Sequence, residues 1–132
     1  MAEVLISPDI EAAVVAFLSN VLSTSVTKVA TKVPSVMPER MVKVTNTGSD
    51  RLGVAADMAQ VTIECWAPDA LSASLVARTA YAHLIAAAGS VAGGVFVRRA
   101  DSVSGVQSFP DPDTARPRYI FTVRWYVRPA TI

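Results

Sequence analysis

Met58-Ala59-Gln60-Val61-Thr62-Ile63-Glu64-Cys65-Trp66 decides the fold class, because its apolar residues alternate strictly. Ala59, Val61, Ile63 and Cys65 fall on one side of an extended chain, and Gln60, Thr62, Glu64 and Trp66 on the other. That period of two marks a strand with one face packed. Pro68-Asp69 then punctuates the chain, and an Ala-rich helix is predicted to run to about Ala88. It is apolar nearly all round (Leu71, Leu75, Val76, Tyr81, Leu84, Ile85), with Arg78 and His83 among its few polar positions. Such a helix is expected to be buried on two sides, by a sheet and by another subunit.

The same reading extends outward in both directions. Upstream, Ser7-Pro8-Asp9-Ile10-Glu11 predicts a helix start, with Ser7 as cap, Pro8 in the first helical position and two acids near the positive end. Ile10, Val14, Phe17, Leu18 and Val21 continue it at helical spacing. Val26–Val33 predicts a strand ended by Pro34, and Arg40–Thr45 a second short strand. The polar stretch from Asn46 to Gly53 predicts a loop, taken to extend over 46–57. Downstream, Val91–Arg99 and Val103–Phe109 predict two strands, and the prolines of 110–117 a loop. Tyr119–Arg128 closes the chain as its strongest strand, with Phe121, Val123, Trp125 and Val127 on one face. The order of elements predicts a single α+β domain, residues 1–132, with a mixed, mainly antiparallel sheet and two helices on one face.

Composition narrows the function. The 132 residues suit one core, and a formal charge of +1 lacks the basic excess of a nucleic-acid binder or of a protein drawn to an acidic membrane surface. Charged residues are 17% of the chain and hydrophobic ones 52%, whereas charged residues make up about a quarter of a typical domain. A small domain needs much polar cover, so part of the surface is expected to lie against other subunits. Cys65 is the only cysteine, which removes an intrachain disulfide, and Met1-Ala2-Glu3 opens no secretory leader. The run Ala80–Val97 carries no Asp, Glu, Lys or Arg but is mostly Ala, Gly and Ser, so a helix ending near Gly89-Ser90 is expected and not a membrane span.

Residues able to do chemistry are few. There is no phosphate loop, no GxSxG elbow and no HExxH. Cys65 reads as a small buried hydrophobe and His83 as an ordinary helix residue, with no catalytic, cofactor or metal role assigned. Asp111 and Asp113 read as a turn. Arg98, Arg99, Arg116, Arg118, Arg124 and Arg128 concentrate positive charge in the last third of the chain. They either solvate strand faces or bond across a subunit boundary.

Certain stretches together resemble a family: Thr31-Lys32-Val33-Pro34; Pro38-Glu39-Arg40-Met41-Val42-Lys43-Val44-Thr45-Asn46-Thr47-Gly48; Asp57 to Ala67 leading into the Ala-rich helix; and Asp111-Pro112-Asp113-Thr114-Ala115-Arg116-Pro117 running on to Arg128. In that order they resemble the tail terminator (tail completion) proteins of long-tailed phages, especially phages of actinobacteria, over roughly residues 5–128. Gly48-Ser49 departs from the glycine pair expected there. The resemblance implies a non-enzymatic virion protein, assembled in the host cytoplasm, that forms a ring, usually a hexamer, on the head-proximal end of the tail. Its partners would be itself, the tail tube protein and the head-tail connector or neck protein, with genome DNA passing through unread. A closed ring needs heterologous interfaces, for which Glu64, Arg98, Arg99, Asp101, Arg124 and Arg128 are the candidates, the arginines pairing with the acids. Candidates to touch tube or connector are Asn46, Thr47, Ser49, Asp50, Arg51, Asp111, Asp113 and Arg116. Two other classes stay open: another neck or tail tube component, and a small α+β enzyme or ligand-binding domain with a pocket holding His83 beside Cys65 or Asp57.

Overall fold

Strand alternation proves the stronger organiser. A computed structural model describes residues 4–23, 27–53 and 56–131. In chain order it holds β1 (Leu5–Ile6), α1 (Ile10–Val21), β2 (Lys28–Ala30), β3 (Met41–Gly53), β4 (Ala56–Trp66), α2 (Ala70–Ala86), β5 (Ser90–Ala92), β6 (Val95–Ser108), β7 (Arg118–Val127) and β8 (Ala130–Thr131). The main sheet runs β2-β3-β4-β7-β6-β5, and β1 and β8 make a separate two-stranded ribbon. Only β2–β3 is parallel; every other pair is antiparallel. The chain is therefore α+β with a mixed, mainly antiparallel sheet, as predicted.

Both helices cover the same face. Ala59, Val61, Ile63 and Cys65 of β4 and Phe121, Val123, Trp125 and Val127 of β7 are buried beneath them. Phe17 of α1 meets the Trp125 ring edge-on at 6.0 Å, and Tyr81 of α2 meets Phe121 at 5.4 Å. Trp125 also donates its indole N–H to the Leu84 carbonyl at 2.9 Å, so the largest core side chain leaves no polar atom unpaired.

Several boundaries differ from the sequence reading. The cap of α1 is Asp9, not Ser7: its carboxylate accepts the Ala12 amide at 3.1 Å, and Ile10 is the first helical residue instead of Pro8. A charged acceptor suits the positive helix end better than a hydroxyl, and this start places Ile10, Val14 and Leu18 in the core. Strand β2 is only Lys28–Ala30, and Val26 of the predicted strand lies outside the described residues. Asn46–Gly53 is no loop; it is the second half of β3, paired with β4 through two register irregularities. Its side chains from Thr47 onward are exposed, so neither face needs apolar residues and no alternation marks it. The tip, Val54 and Ala55, lies outside the described residues. The two strands predicted over 91–109 are really a short β5 and a long β6, joined at Gly93 and Gly94. Both glycines have positive φ, as a two-residue type I′ turn requires.

Helix α2 is also less covered than its composition suggests. Ala73, Val76, Ala77, Ala80 and Leu84 are buried, yet Leu71 is 78% and Leu75 56% exposed. The sheet covers one side of the helix, and among the described residues nothing covers the leucines on the other. No helix among the described residues is long and apolar enough to cross a membrane.

Candidate functional site

Because both helices take one face, the other face of the sheet is left without a second layer. Register arranges it in rows across β3, β4, β7 and β6. Lys43, Glu64, Ile120 and Gln107 form one row. Thr45, Thr62, Thr122 and Ser104 form the next, four hydroxyls abreast, with Thr62 and Thr122 bonded at 3.0 Å. Gly48, Gln60, Arg124 and Asp101 follow, then Asp50, Met58, Tyr126 and Arg99. Several charges on this face are paired within the chain, whereas Arg124 meets a neutral side chain, its buried Nε without a partner among the described residues, and Asp50 is exposed. Arg118 donates to Glu64 at 3.1 Å, with Lys43 also near Glu64 at 3.8 Å. Arg99 pairs with Asp101 at 2.9 Å and lies over the Tyr126 ring. Arg124 donates to Gln60 at 3.0 Å.

These contacts place the interface candidates. Glu64 and Asp101 already have partners in their own chain, and Arg118, not Arg124, is the one that reaches Glu64. Arg124 sits on β7, which has a strand on either side, so it does not border the sheet. Arg99 and Asp101 do, on β6, as does exposed Arg98. Arg128 lies over the Phe96 ring at 5.0 Å. Sequence reasoning missed Arg118 as the organising cation, because only the Trp66–Arg118 register brings it beside Glu64.

At one end of the strands the outer face is roofed by the connections 31–40 and 109–117. Beneath them Met41 and Trp66 are buried on the outer side of the sheet, a small core of their own. The Trp66 indole donates to Asp111 at 3.0 Å, and Arg118 lies over its ring. Asp111 also accepts the Asp113 amide at 2.9 Å; that bond first, then the Trp66 indole, holds its carboxyl below the usual range. Arg116 donates to the carbonyls of Pro38 and Glu39 at 3.1 and 2.6 Å, stitching the two connections together. A recess of about 380 Å³ opens between Val33, Met37, Trp66, Asp111 and Arg118, and His83, Cys65 and Asp57 are not among its lining residues.

The opposite end carries the β3–β4 tip. On the way to it, level with Val61, Asn46 donates its backbone N–H to Glu11 of α1 at 2.7 Å and its side-chain amide to Ser49 at 2.9 Å. The Thr47 hydroxyl donates to the Gln60 carbonyl at 3.2 Å. Asp50 is exposed. Arg51 turns inward, pairing with buried Asp57 and donating to the Leu5 carbonyl of β1 at 3.1 Å. Of the tube or connector candidates, Asp50 and Arg51 lie at the end of β4 opposite Asp111, whereas Asn46 stands level with Val61 near its middle; the paired residues Asp57 to Trp66 span roughly 30 Å at about 3.3 Å per residue.

Among the described residues no cluster of metal-ligating side chains converges. Cys65 is fully buried, and burial, with Glu64 beside it, pushes its thiol far up. The folded protein is therefore expected to leave Cys65 unmodified by a thiol reagent such as DTNB until denaturant is added; rapid labelling of the native chain would contradict that packing. His83 is exposed on α2, edge-on to Phe17 at 6.4 Å. No family model and no curated protein matches the chain. Its function has to be argued from this geometry.

Proposed function

We propose that this chain is a phage tail terminator subunit, a structural protein that forms a ring on the head-proximal end of the tail tube and joins it to the head connector. The observation that carries the reading is the polarity of the subunit: two different ends separated by the full length of the sheet. One end presents the tip with exposed Leu52, Val4 and Ile6 around Arg51. The other presents the stitched connections, with Val36 85% exposed beside Phe109, Asp111, Asp113 and Arg116. A joint between two different bodies needs such ends, and a ring whose axis follows the strands would turn one to the tube and the other to the connector. The outer face then faces the bore. Its row of hydroxyls, and the pairing of Arg118 with Glu64 and of Arg99 with Asp101, suit DNA that must pass and not be held, since tight duplex binding needs a surplus of free cations. The exposed Leu71 and Leu75 of α2 support further contact on the outside.

Light scattering coupled to size exclusion is expected to find a discrete hexamer-sized species, seen by negative-stain microscopy as single rings. Added to the tube protein of the same tail, those rings should stop tube growth at a fixed length. Long tubes formed by the purified chain alone would mark a tube subunit instead, and tubes that grow on unhindered would sink the terminator reading.

A further inference from the structure

The ring reading leaves open how one copy grips the next, and the sheet's two flanks bear on that. On one flank, β2 pairs with β3 only at Met41–Lys43, so among the described residues no strand lies beside the edge from Val44 to Asp50. On the other, β5 pairs with β6 only at Val95–Val97, which leaves Arg99–Val106 equally open. Long open edges are a hazard that folds usually blunt or use. Here the blunting consists of two register irregularities along β3, three along β6, and the Glu11 carboxylate on the Asn46 amide.

We infer that the β6 edge of one copy pairs antiparallel with the β3 edge of the next, so that the sheets join into one continuous wall. Direction supports it. Strands β3, β4, β7 and β6 alternate up and down, so β3 and β6 run opposite ways, and a rotation about an axis along the strands brings them together antiparallel. The contact is heterologous, one edge meeting a different edge, as a closed ring requires. The short strands set its limits: Ala30 stands beside Lys43 and Ser90 beside Val97, so the pairing covers Val44–Asp50 and Arg99–Val106, and the ends Arg51–Gly53 and Gln107–Ser108 must bend away from the neighbour's β5 and β2. Charge agrees as well. Asp50 and Arg99 share the last row of the outer face, so neighbours set side by side without axial offset put Arg99 opposite Asp50 of the next copy, and Ser104 opposite its Thr45. Glu11 releases the Asn46 amide as the incoming strand arrives, which keeps the lone chain from pairing at random.

Buried Cys65 gives a quiet background for a cross-linking test. Ser104→Cys protein is mixed in turn with Thr45→Cys, Gly48→Cys and Asp50→Cys protein, the outer-face positions of the β3 edge, under a mild oxidant. Opposed residues of an antiparallel pair come within disulfide reach. Most of the protein in at least one mixture is expected to shift to a dimer band on a non-reducing gel, with no shift for any variant alone. A variant that links to itself, or rings seen by light scattering in which no mixture links, overturns the edge pairing while leaving the ring reading in place. Linked species that grow into open tubes keep the pairing and sink the terminator reading. A chain that stays monomeric and unlinked at every concentration overturns the pairing.

Discussion

Gly93→Ala is expected to lower the unfolding free energy by roughly 3–4 kcal/mol, while Gly94→Ala, one residue away, costs only about 1 kcal/mol. Both glycines have positive φ, +58° and +83°, so both alanines carry the strain of the left-handed region. What separates them is space. A Cβ on Gly93 would lie 2.0 Å from the Ala13 carbonyl oxygen and 2.6 Å from its carbon, whereas nothing stands within 4 Å of one on Gly94. The obstacle is backbone inside α1, which no rotamer change relieves. Nor can α1 retreat, because Ile10, Val14 and Leu18 would leave the core with it. Overpacking of about 1–3 kcal/mol therefore adds to the conformational strain. Chemical denaturation read as a midpoint shift checks it. Equal losses for the two alanines would mean that the close approach of the β5–β6 turn to α1 is not what makes Gly93 indispensable.

That contact was invisible in the sequence, where Gly93 and Gly94 look alike, and the contrast shows what a single chain can reveal. Strands packed on one face by helices announce themselves: the alternation in Met58–Trp66 and Tyr119–Arg128 gave the core residues and the fold class. The stretches 46–53 and 100–102 did not, because they lie at the borders of the sheet, where exposed side chains obey no pattern and backbone pairing alone keeps them extended. Strands as short as β1 and β8 have no period to detect. Helix α2 was legible on the side the sheet covers, where Ala73, Val76, Ala77, Ala80 and Leu84 are buried, and its exposed Leu71 and Leu75 lie away from that side. For the candidate surface, residue types were legible and partners were not. Glu64 and Asp101 could be seen to need cations, but only register decides that Arg118 supplies Glu64, while Arg99 reaches Asp101 along its own strand. The separation of the two polar segments to opposite ends, on which the proposed function rests, likewise depends on β3 and β6 being single long strands.

Arg51→Leu is expected to cost about 3 kcal/mol, far more than a surface substitution, which usually stays within about 0.5 kcal/mol. The reason lies in Asp57, not in the arginine. Arg51 is the more exposed partner, with 41% of its side chain accessible, but Asp57 is 3% exposed, and its second carboxylate oxygen has no partner among the described residues. Remove the guanidinium and a buried anion is left uncompensated, which is the expensive way to break a pair. The order of a small series follows. Asp57→Asn, which leaves an arginine able to turn to water, should cost about 1–2 kcal/mol. The double variant Arg51→Leu/Asp57→Asn should recover much of the single variant's loss, because the stranded charge is gone. Arg51→Lys should fall between, since one ammonium cannot hold both Asp57 and the Leu5 carbonyl as the fork of the guanidinium does. Denaturation of the four proteins gives the coupling directly. Simple additivity would mean that Asp57 finds another partner when the arginine is gone. The same bond to Leu5 ties the β1–β8 ribbon to the β3–β4 tip, so Arg51→Leu should also speed hydrogen exchange in that ribbon while sparing β7. An end that must present one fixed shape to another protein has good reason to be held by a pair whose loss the fold cannot ignore.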